Sequence, residues 1–375
     1  MPFLITGIVL VAVGLFLLIS PATRGKIFVH KGKRIFIVFS VYTLIVAIIK
    51  HNFIGAACSL GFFFIIVVSY FVRSVVTEKV FDRCLDLCCY ATVPIALCAL
   101  VERLLSSADH GCLLWFFNEN YFCSIMAACV IICGYKATNH KGPVLRYYIC
   151  ALFGVFAMYL GESMFAFVEL FVGIIVLLIL KHKHFMLATF LAVVVFGLVI
   201  IYFVPELFPR LAETNITTDR RIKIWDTAMG FIKDEPIFGR GFLSYYNHAA
   251  EHPDVYQTTH AHNFAIEPLL SFGIIGTMML LVFMWSYYSK VSECKELLRT
   301  NEAATLILTI SAAVVAHTTT DLTLLWIQTG LLYALILGGI GIDEKTLHKR
   351  LLACVAKQNE DLSQKQTKKG DNNAQ

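Results

Sequence analysis

The residues of this sequence best suited to chemistry are gathered between residues 205 and 263, a stretch we call the long loop. It contains Arg220 and Arg221, and it ends on the run His260-Ala261-His262-Asn263. An imidazole can change its charge near neutral pH, whereas a guanidinium binds anionic oxygens such as those of a diphosphate. The long loop therefore combines titratable side chains with groups that can hold an anion.

A helix is predicted within the long loop, beginning at Thr218 or Asp219, either of which can cap its free N–H groups. Apolar residues recur along it at helical spacing: Ile222, Trp225, Met229 and Ile232. This pattern is typical of an amphipathic helix that lies along a membrane surface. Arg220 and Arg221 fall in its first turn, where the positive end of the helix dipole also favours an anion. Binding to lipid headgroups is the alternative for these two arginines.

A rival chemistry is suggested by His248, Glu251 and His252, which follow the H-x-x-E-H pattern. In this pattern two histidines one helical turn apart bind zinc and the glutamate acts as a base. Pro253 follows directly, so a helix presenting the pair would end there. We interpret His248 and His252 as solvated loop residues and keep a zinc peptidase as an alternative.

The composition indicates that these groups are positioned by a membrane protein. Hydrophobic residues make up 58% of the 375 residues, charged residues only 15%, and the mean hydropathy is +0.72. Such values lie far outside those of soluble globular proteins. Continuous apolar runs of about 20 residues must be helices in a bilayer, because their backbone groups have to be hydrogen-bonded internally.

The sequence therefore predicts an all-α fold, a polytopic transmembrane helical bundle with about eleven spans and one long outer loop containing an amphipathic helix. The predicted spans are residues 3–19, 35–49, 53–72, 86–101, 121–134, 147–161, 164–180, 185–204, 264–286, 302–320 and 322–340. A basic loop follows the first run where a small-residue cleavage site would be needed, so we interpret it as a retained span rather than a signal peptide.

Basic residues set the predicted orientation, because positively charged short loops stay in the cytoplasm. With the N-terminus outside, the short outer loops carry only Lys50 and Arg103, and most of the 31 lysines and arginines lie inside. The net charge of +5 is then explained by topology and does not indicate nucleic acid.

This topology predicts four regions. They are an N-terminal transmembrane bundle (1–204), the long extracytoplasmic loop (205–263), C-terminal transmembrane helices (264–341) and a cytoplasmic tail (342–375). The tail is polar from about Lys357 and is predicted to be disordered.

Ionisable residues within or beside the predicted spans leave transport open as a second alternative. They are Glu102, Glu162, Glu169, Glu267, His317 and Asp321. Charges at membrane depth are costly, so such residues usually face a cavity or pair with a neighbour. A secondary transporter or flippase would also predict inverted repeats and broken helices. The sequence shows neither, and a transporter has little need of a long loop with arginine and histidine.

The ordered motifs of the long loop and its flanks resemble a known family. They are Arg221–Trp225, Pro236–Gly241, His262–Phe264 with Glu267, and Gly273–Gly276. This set, over roughly residues 210–280, resembles the O-antigen ligase-like family, which also contains repeat-unit polymerases. Asp321 and Trp326 resemble a later span of the family more weakly. The resemblance implies a glycosyltransferase of the cytoplasmic (inner) membrane, active on the outer face without a metal or other cofactor.

The resemblance also implies roles and partners. His262 would be the base that activates an acceptor hydroxyl, Arg221 would hold a diphosphate, and Asn263 would orient the imidazole or cap the next span. The donor would be a glycan attached to a polyprenyl diphosphate, and the acceptor would be a glycan or a lipid-linked molecule. The protein would also contact membrane lipids, and no nucleic-acid partner is expected. Ligase and polymerase differ only in the acceptor, which the sequence does not decide.

One departure from the family concerns the phosphate site. The family often has a Ser-Arg pair at the outer start of the span matching 164–180, and that arginine is a second diphosphate contact. Here Ser163 keeps the serine, and Met164 takes the place of the arginine. Arg210, Arg220 or Arg240 could substitute for it.

Overall fold

The computed structural model describes residues 2–30, 32–105, 118–139, 142–207, 214–297 and 303–372. Within these ranges the regular structure is entirely helical, which confirms the predicted all-α class. The helices are α1 (Pro2–Ile19), α2 (Pro21–Ile27), α3 (Lys33–Ile49), α4 (Phe53–Val75), α5 (Glu78–Leu105), α6 (Glu119–Asn139), α7 (Leu145–Gly161), α8 (Met164–Leu180), α9 (His184–Phe203), α10 (Thr214–Asp234), α11 (Ser244–Glu251), α12 (Ile266–Leu297), α13 (Ala303–Thr318), α14 (Ile327–Gly338) and α15 (Ile340–Asn372).

Helices occur at all of the predicted spans, but not all are long enough to cross a bilayer. Five described helices, α4, α5, α6, α9 and α12, have the length and hydropathy of a span. The pair α1 and α2, which meet at 102°, makes a sixth if they are counted together. The helices α7, α8 and α13 are apolar but shorter. The structure therefore supports a membrane protein with several spans, while the number of eleven stays a prediction.

Two predictions for the C-terminal part are wrong. The helix expected over 322–340 does not begin until Ile327, because Thr323–Leu325 form a 3-10 turn, and α14 ends at Gly338, just before α15 begins at Ile340. The tail, expected to be disordered from about Lys357, continues α15 to Asn372. Its lysine, glutamine and leucine residues are good helix formers, which polarity alone does not reveal.

The core of the bundle is centred on α6, which is buried along almost its whole length. It packs against α5, α7, α8 and α13. Small residues on its neighbours permit this close approach, because a side chain at Gly154 or Gly173 would overlap α6 side chains. The described start of α6 lies beside the start of α8 and the end of α13, where Asn120, Ser163 and Asp321 meet.

The helix α10 packs the long loop onto the start of α12. It begins at Thr214, earlier than predicted, and Ile224, Ala228 and Phe231 bury its apolar face against α11 and α12. The buried face therefore differs in part from the predicted one, since Ile222 and Met229 are exposed. These two side chains remain free to contact lipid, which fits an amphipathic helix at the membrane surface.

A break in α12 joins it to the turn that follows α10. Gly273 has φ 61° and ψ −170°, a conformation open essentially to glycine alone. The break frees the N–H groups of Ile274 and Ile275, which donate to the carbonyls of Pro236 at 2.9 Å and Ile237 at 3.2 Å. The two glycine motifs noted in the sequence are thus the two sides of one junction.

We expect Gly273→Ala to destabilise the protein by about 2 kcal/mol or more, because it adds a disfavoured φ and a collision. The new Cβ would lie 2.3 Å from the carbonyl oxygen of Ile237. Gly230→Ala on α10 is the matched control, since nothing lies within 4 Å of its Cβ position. The melting temperature in detergent should fall only for Gly273→Ala, and equal melting of the two variants would contradict the junction.

Candidate active site

His262 lies in the turn before α12 and has both ring nitrogens engaged. Its Nδ1 lies 2.9 Å from Oδ1 of Asp321, and its Nε2 lies 2.9 Å from the hydroxyl of Thr258. A carboxylate can only accept, so Nδ1 carries the proton and the lone pair of the neutral ring is on Nε2. The side chain is 20% exposed, and its φ is 51°. A histidine held by a buried carboxylate, with a hydroxyl at its other nitrogen, has the arrangement of a general base.

Asp321 is completely buried between α13 and α14. Its Oδ2 accepts a hydrogen bond of 2.6 Å from Asn120, and its N–H donates to the carbonyl of His317. Burial by itself would raise the pKa of Asp321, but the hydrogen bond from His262 lowers it well below its ordinary value. Asp321 is therefore ionised at neutral pH and can fix the tautomer of His262.

Asn120 and Ser163 extend this network to the starts of α6 and α8. The hydroxyl of Ser163 donates to Oδ1 of Asn120 at 2.6 Å, and the Asn120 amide donates in turn to Asp321. Ser163, the serine of the expected Ser-Arg pair, thus takes part in the site. Sequence reasoning missed Asn120, because one asparagine at the start of an apolar run looks like an ordinary helix end.

His260 is adjacent but is not suited to act as the base. It is completely buried, and its Nδ1 accepts the backbone N–H of His262 at 3.1 Å. Burial, with a smaller contribution from the charge of His262, lowers the pKa of His260 to about 3. His260 is therefore neutral and holds the turn that presents His262.

Asn263 and Glu267 fix the same turn to α12. The Asn263 side chain accepts from the N–H groups of Ala265 and Ile266 and donates to the carbonyl of Thr319. Of its two expected roles, its contacts are those of a helix cap. The Glu267 carboxylate accepts from the N–H of Ala261 at 2.7 Å.

Arg221 lies close to this group. Its guanidinium stacks on the ring of Phe165 at 4.2 Å, next to Met164 in the first turn of α8. Burial lowers the pKa of Arg221, and the negative charge of Asp321 partly offsets that effect. Within the described residues no carboxylate forms an ion pair with Arg221, and its described side-chain contact is the stacking on Phe165.

The other arginines considered are placed differently. Arg220 is exposed on α10. Arg240 pairs with Glu251 at 3.1 Å, and its carbonyl accepts from Asn52, so its contacts are not with His262 or Arg221. Arg210 lies outside the described residues. A phosphate-binding role for Arg220 or Arg240 stays a prediction.

The H-x-x-E-H residues are used for packing. His248 is buried and stacks on Phe231 at 4.4 Å between ring centroids, and His252 stacks on the same ring at 5.7 Å. Burial and then the charge of Arg240 lower the pKa of His248 to about 4. The interpretation of His248 as a solvated residue was therefore wrong, although its burial against a ring does not favour zinc.

A different group could hold a metal ion by proximity alone. Ligand atoms of His260, His262 and Asp321 all lie within 4.8 Å of one another, and two histidines with one carboxylate can bind several divalent metals. The Nδ1 of His260 already accepts a backbone N–H, so the neutral ring keeps its proton on Nε2, the atom that faces Asp321. A protonated nitrogen cannot bind a metal, so these hydrogen bonds favour proton chemistry.

Several ionisable residues of the predicted spans are paired, as is usual for charges at membrane depth. Glu162 pairs with Arg103 at 3.0 Å. Glu169 and His317 form a buried pair at 2.6 Å, behind Asp321. Neighbours within the chain thus account for the full or partial burial of Glu162, Glu169 and His317.

Comparison with known proteins agrees with this geometry. The family model described as O-antigen ligase matches residues 149–281, about a third of the chain. The matched region contains Ser163, Arg221 and His262, whereas Asp321 lies beyond it. No curated protein was found to match the chain. The resemblance noted in the sequence is thereby confirmed, and this chain is a helical membrane protein with an O-antigen ligase-like region at residues 149–281.

Proposed function

We propose that this protein is a metal-independent glycosyltransferase that moves an oligosaccharide from a polyprenyl-diphosphate carrier to an acceptor hydroxyl. The reaction would take place at the outer face of the cytoplasmic membrane, at the end of the long loop in the turn before α12. The observation that carries the proposal is the lone pair of His262, which Asp321 aligns onto a hydroxyl, with the Arg221 guanidinium stacked on Phe165 at the start of α8. An O-antigen ligase and a repeat-unit polymerase both fit these features.

The chemistry balances with these groups alone. Nε2 of His262 takes the proton of the acceptor hydroxyl while the acceptor oxygen forms a bond to the anomeric carbon. The bond from that carbon to the diphosphate breaks, and polyprenyl diphosphate leaves with the electron pair. Arg221 stabilises the charge that grows on the diphosphate oxygens. Attack opposite the leaving group inverts the anomeric configuration.

The position of Arg221 supports its assignment despite the missing family arginine. Because its guanidinium lies over Phe165, it reaches the first turn of α8, beside the residue that replaces the arginine. The ring holds the guanidinium plane in place, which prepares it for two-pronged binding of phosphate oxygens. The exposed Ile222 and Met229 on the same helix provide apolar surface for the membrane and the polyprenyl chain.

We expect Arg221→Lys to lower kcat/KM for the donor by about 10- to 100-fold, because an ammonium cannot replace the two parallel hydrogen bonds of the fork. Arg220→Lys is the control on the exposed side of the same helix turn and should have a smaller effect. Donor titrations with both purified variants make the comparison. Equal, small effects would indicate that Arg221 contacts lipid headgroups instead.

The proposed function is tested with purified protein in nanodiscs and a polyprenyl-diphosphate oligosaccharide, with and without EDTA. We expect release of polyprenyl diphosphate that resists EDTA and depends on a hydroxyl acceptor. Release that EDTA abolishes would move the chemistry to a metal at His260, His262 and Asp321. No release from any lipid-linked donor would contradict the proposal and favour transport. The glycan product separates ligase from polymerase.

A further inference from the structure

The hydroxyl of Thr258 occupies the one free lone pair of the candidate base. Its Oγ1 lies 2.9 Å from Nε2 of His262, while Nδ1 is committed to Asp321. Since the lone pair of the neutral ring is on Nε2, the Thr258 hydroxyl is the donor in this hydrogen bond. A base whose lone pair is filled in this way cannot accept the proton of another hydroxyl at the same time.

Thr258 is chemically similar to the group that the base must activate. Its side chain ends in a secondary alcohol, as do the ring hydroxyls of a sugar, and it approaches Nε2 at ordinary hydrogen-bond distance. We propose that Thr258 Oγ1 marks the subsite of the acceptor oxygen, and that the acceptor hydroxyl displaces it from His262. This inference rests on the proposed function and adds the place where the acceptor binds.

The chain around Thr258 allows this displacement without a large movement. Residues 256–258 have no regular structure and are anchored by their neighbours: Tyr245 donates to the carbonyl of Tyr256, and the Gln257 amide donates to the carbonyl of Ala249. Rotation of the Thr258 side chain about χ1 is therefore enough to free the lone pair. His262 meanwhile stays fixed by Asp321.

The displacement also associates the two substrates with different groups of the site. The acceptor enters along residues 253–259, an exposed or half-buried stretch of the long loop. The diphosphate lies toward Arg221 and Phe165 at the start of α8. In the step itself the acceptor proton goes to Nε2, the acceptor oxygen bonds to the anomeric carbon, and polyprenyl diphosphate leaves. Thr258 is unchanged at the end.

The test uses Thr258→Val, which keeps the shape and removes the hydroxyl. Because the acceptor no longer competes with an internal hydrogen bond, we expect KM for the acceptor to fall by about two- to tenfold. Thr258→Ala should behave similarly if valine disturbs folding, which melting and gel filtration reveal. Thr258→Ser keeps the hydroxyl and should therefore not show the fall in acceptor KM, and Thr259→Val is the control outside the hydrogen bond to His262.

Three results would overturn the inference. An unchanged acceptor KM in both Thr258→Val and Thr258→Ala would show that the hydroxyl does not compete. Loss of release in these variants with activity in Thr258→Ser would make the hydroxyl part of the chemistry. A product with retained anomeric configuration would identify it as a nucleophile. A wild-type protein that releases no carrier diphosphate contradicts the proposed function instead, so the two failures are separable.

Discussion

Replacing His262 with alanine should reduce release of polyprenyl diphosphate by about 10²- to 10⁴-fold, the usual contribution of a general base. The reason is that Nε2 of His262 is the lone pair aligned for proton transfer, since the neighbouring His260 has its Nδ1 bound to backbone and faces a buried carboxylate. The measurement is single-turnover release in nanodiscs at neutral pH.

His262→Asn is the matched control for the effect of the mutation on the fold. The residue has φ 51°, a left-handed conformation that asparagine adopts more readily than alanine. Both variants should be inactive, but His262→Asn should melt closer to the wild type. An active His262→Ala protein would remove the base assignment and, with it, the mechanism proposed above.

Asp321→Asn should have an effect of similar size, up to about 10⁴-fold, as in triads where an amide replaces the buried carboxylate. The amide offers one accepting oxygen in place of two, although both His262 and Asn120 donate to Asp321. Either the imidazole reverses its tautomer and loses the lone pair on Nε2, or two N–H donors face each other.

The decrease in activity caused by Asp321→Asn is measured as kcat at saturating concentrations of donor and acceptor. Because the pKa of Asp321 lies below its ordinary value, the substitution removes a charge that is present over the whole neutral and mildly acidic range. Asn120→Ala removes only the second donor and should cost much less. A loss in Asp321→Asn no larger than in Asn120→Ala would assign Asp321 a packing role.

The helices of the bundle could be predicted because each one corresponds to a continuous run of apolar residues, which can be read from the sequence directly. The prediction failed at 322–340, where leucines continue the apolar run but the backbone turns through a 3-10 segment at Thr323–Leu325. Hydropathy measures burial and not hydrogen bonding, so it cannot separate a buried turn from a helix. The error in the predicted buried face of α10 has a related cause. Ile222 and Ile224 are both apolar, and only packing against the rest of the protein decides which of them is buried.

Only the residues of the candidate site that belong to local sequence motifs could be predicted. His262 and Arg221 stand in recognisable runs, and the turn at His262 forms with Asn263 as a cap. Asn120 and Thr258 belong to no motif and become part of the site through tertiary contacts. The bond from Asn120 to Asp321 joins residues 201 positions apart, a relation that a single sequence does not record.

The junction at Gly273 determines how substrates can reach His262. The carbonyls of Pro236 and Ile237 replace acceptors that α12 loses at its break, so the end of α10 is held by hydrogen bonds that belong to a membrane helix. Moving this turn away from α12 would break those hydrogen bonds and leave the N–H groups of Ile274 and Ile275 without acceptors. We therefore expect the turn after α10 to stay in place during turnover. We expect the carrier to slide in from the bilayer plane and the acceptor to thread in from water, each past side chains that rotate.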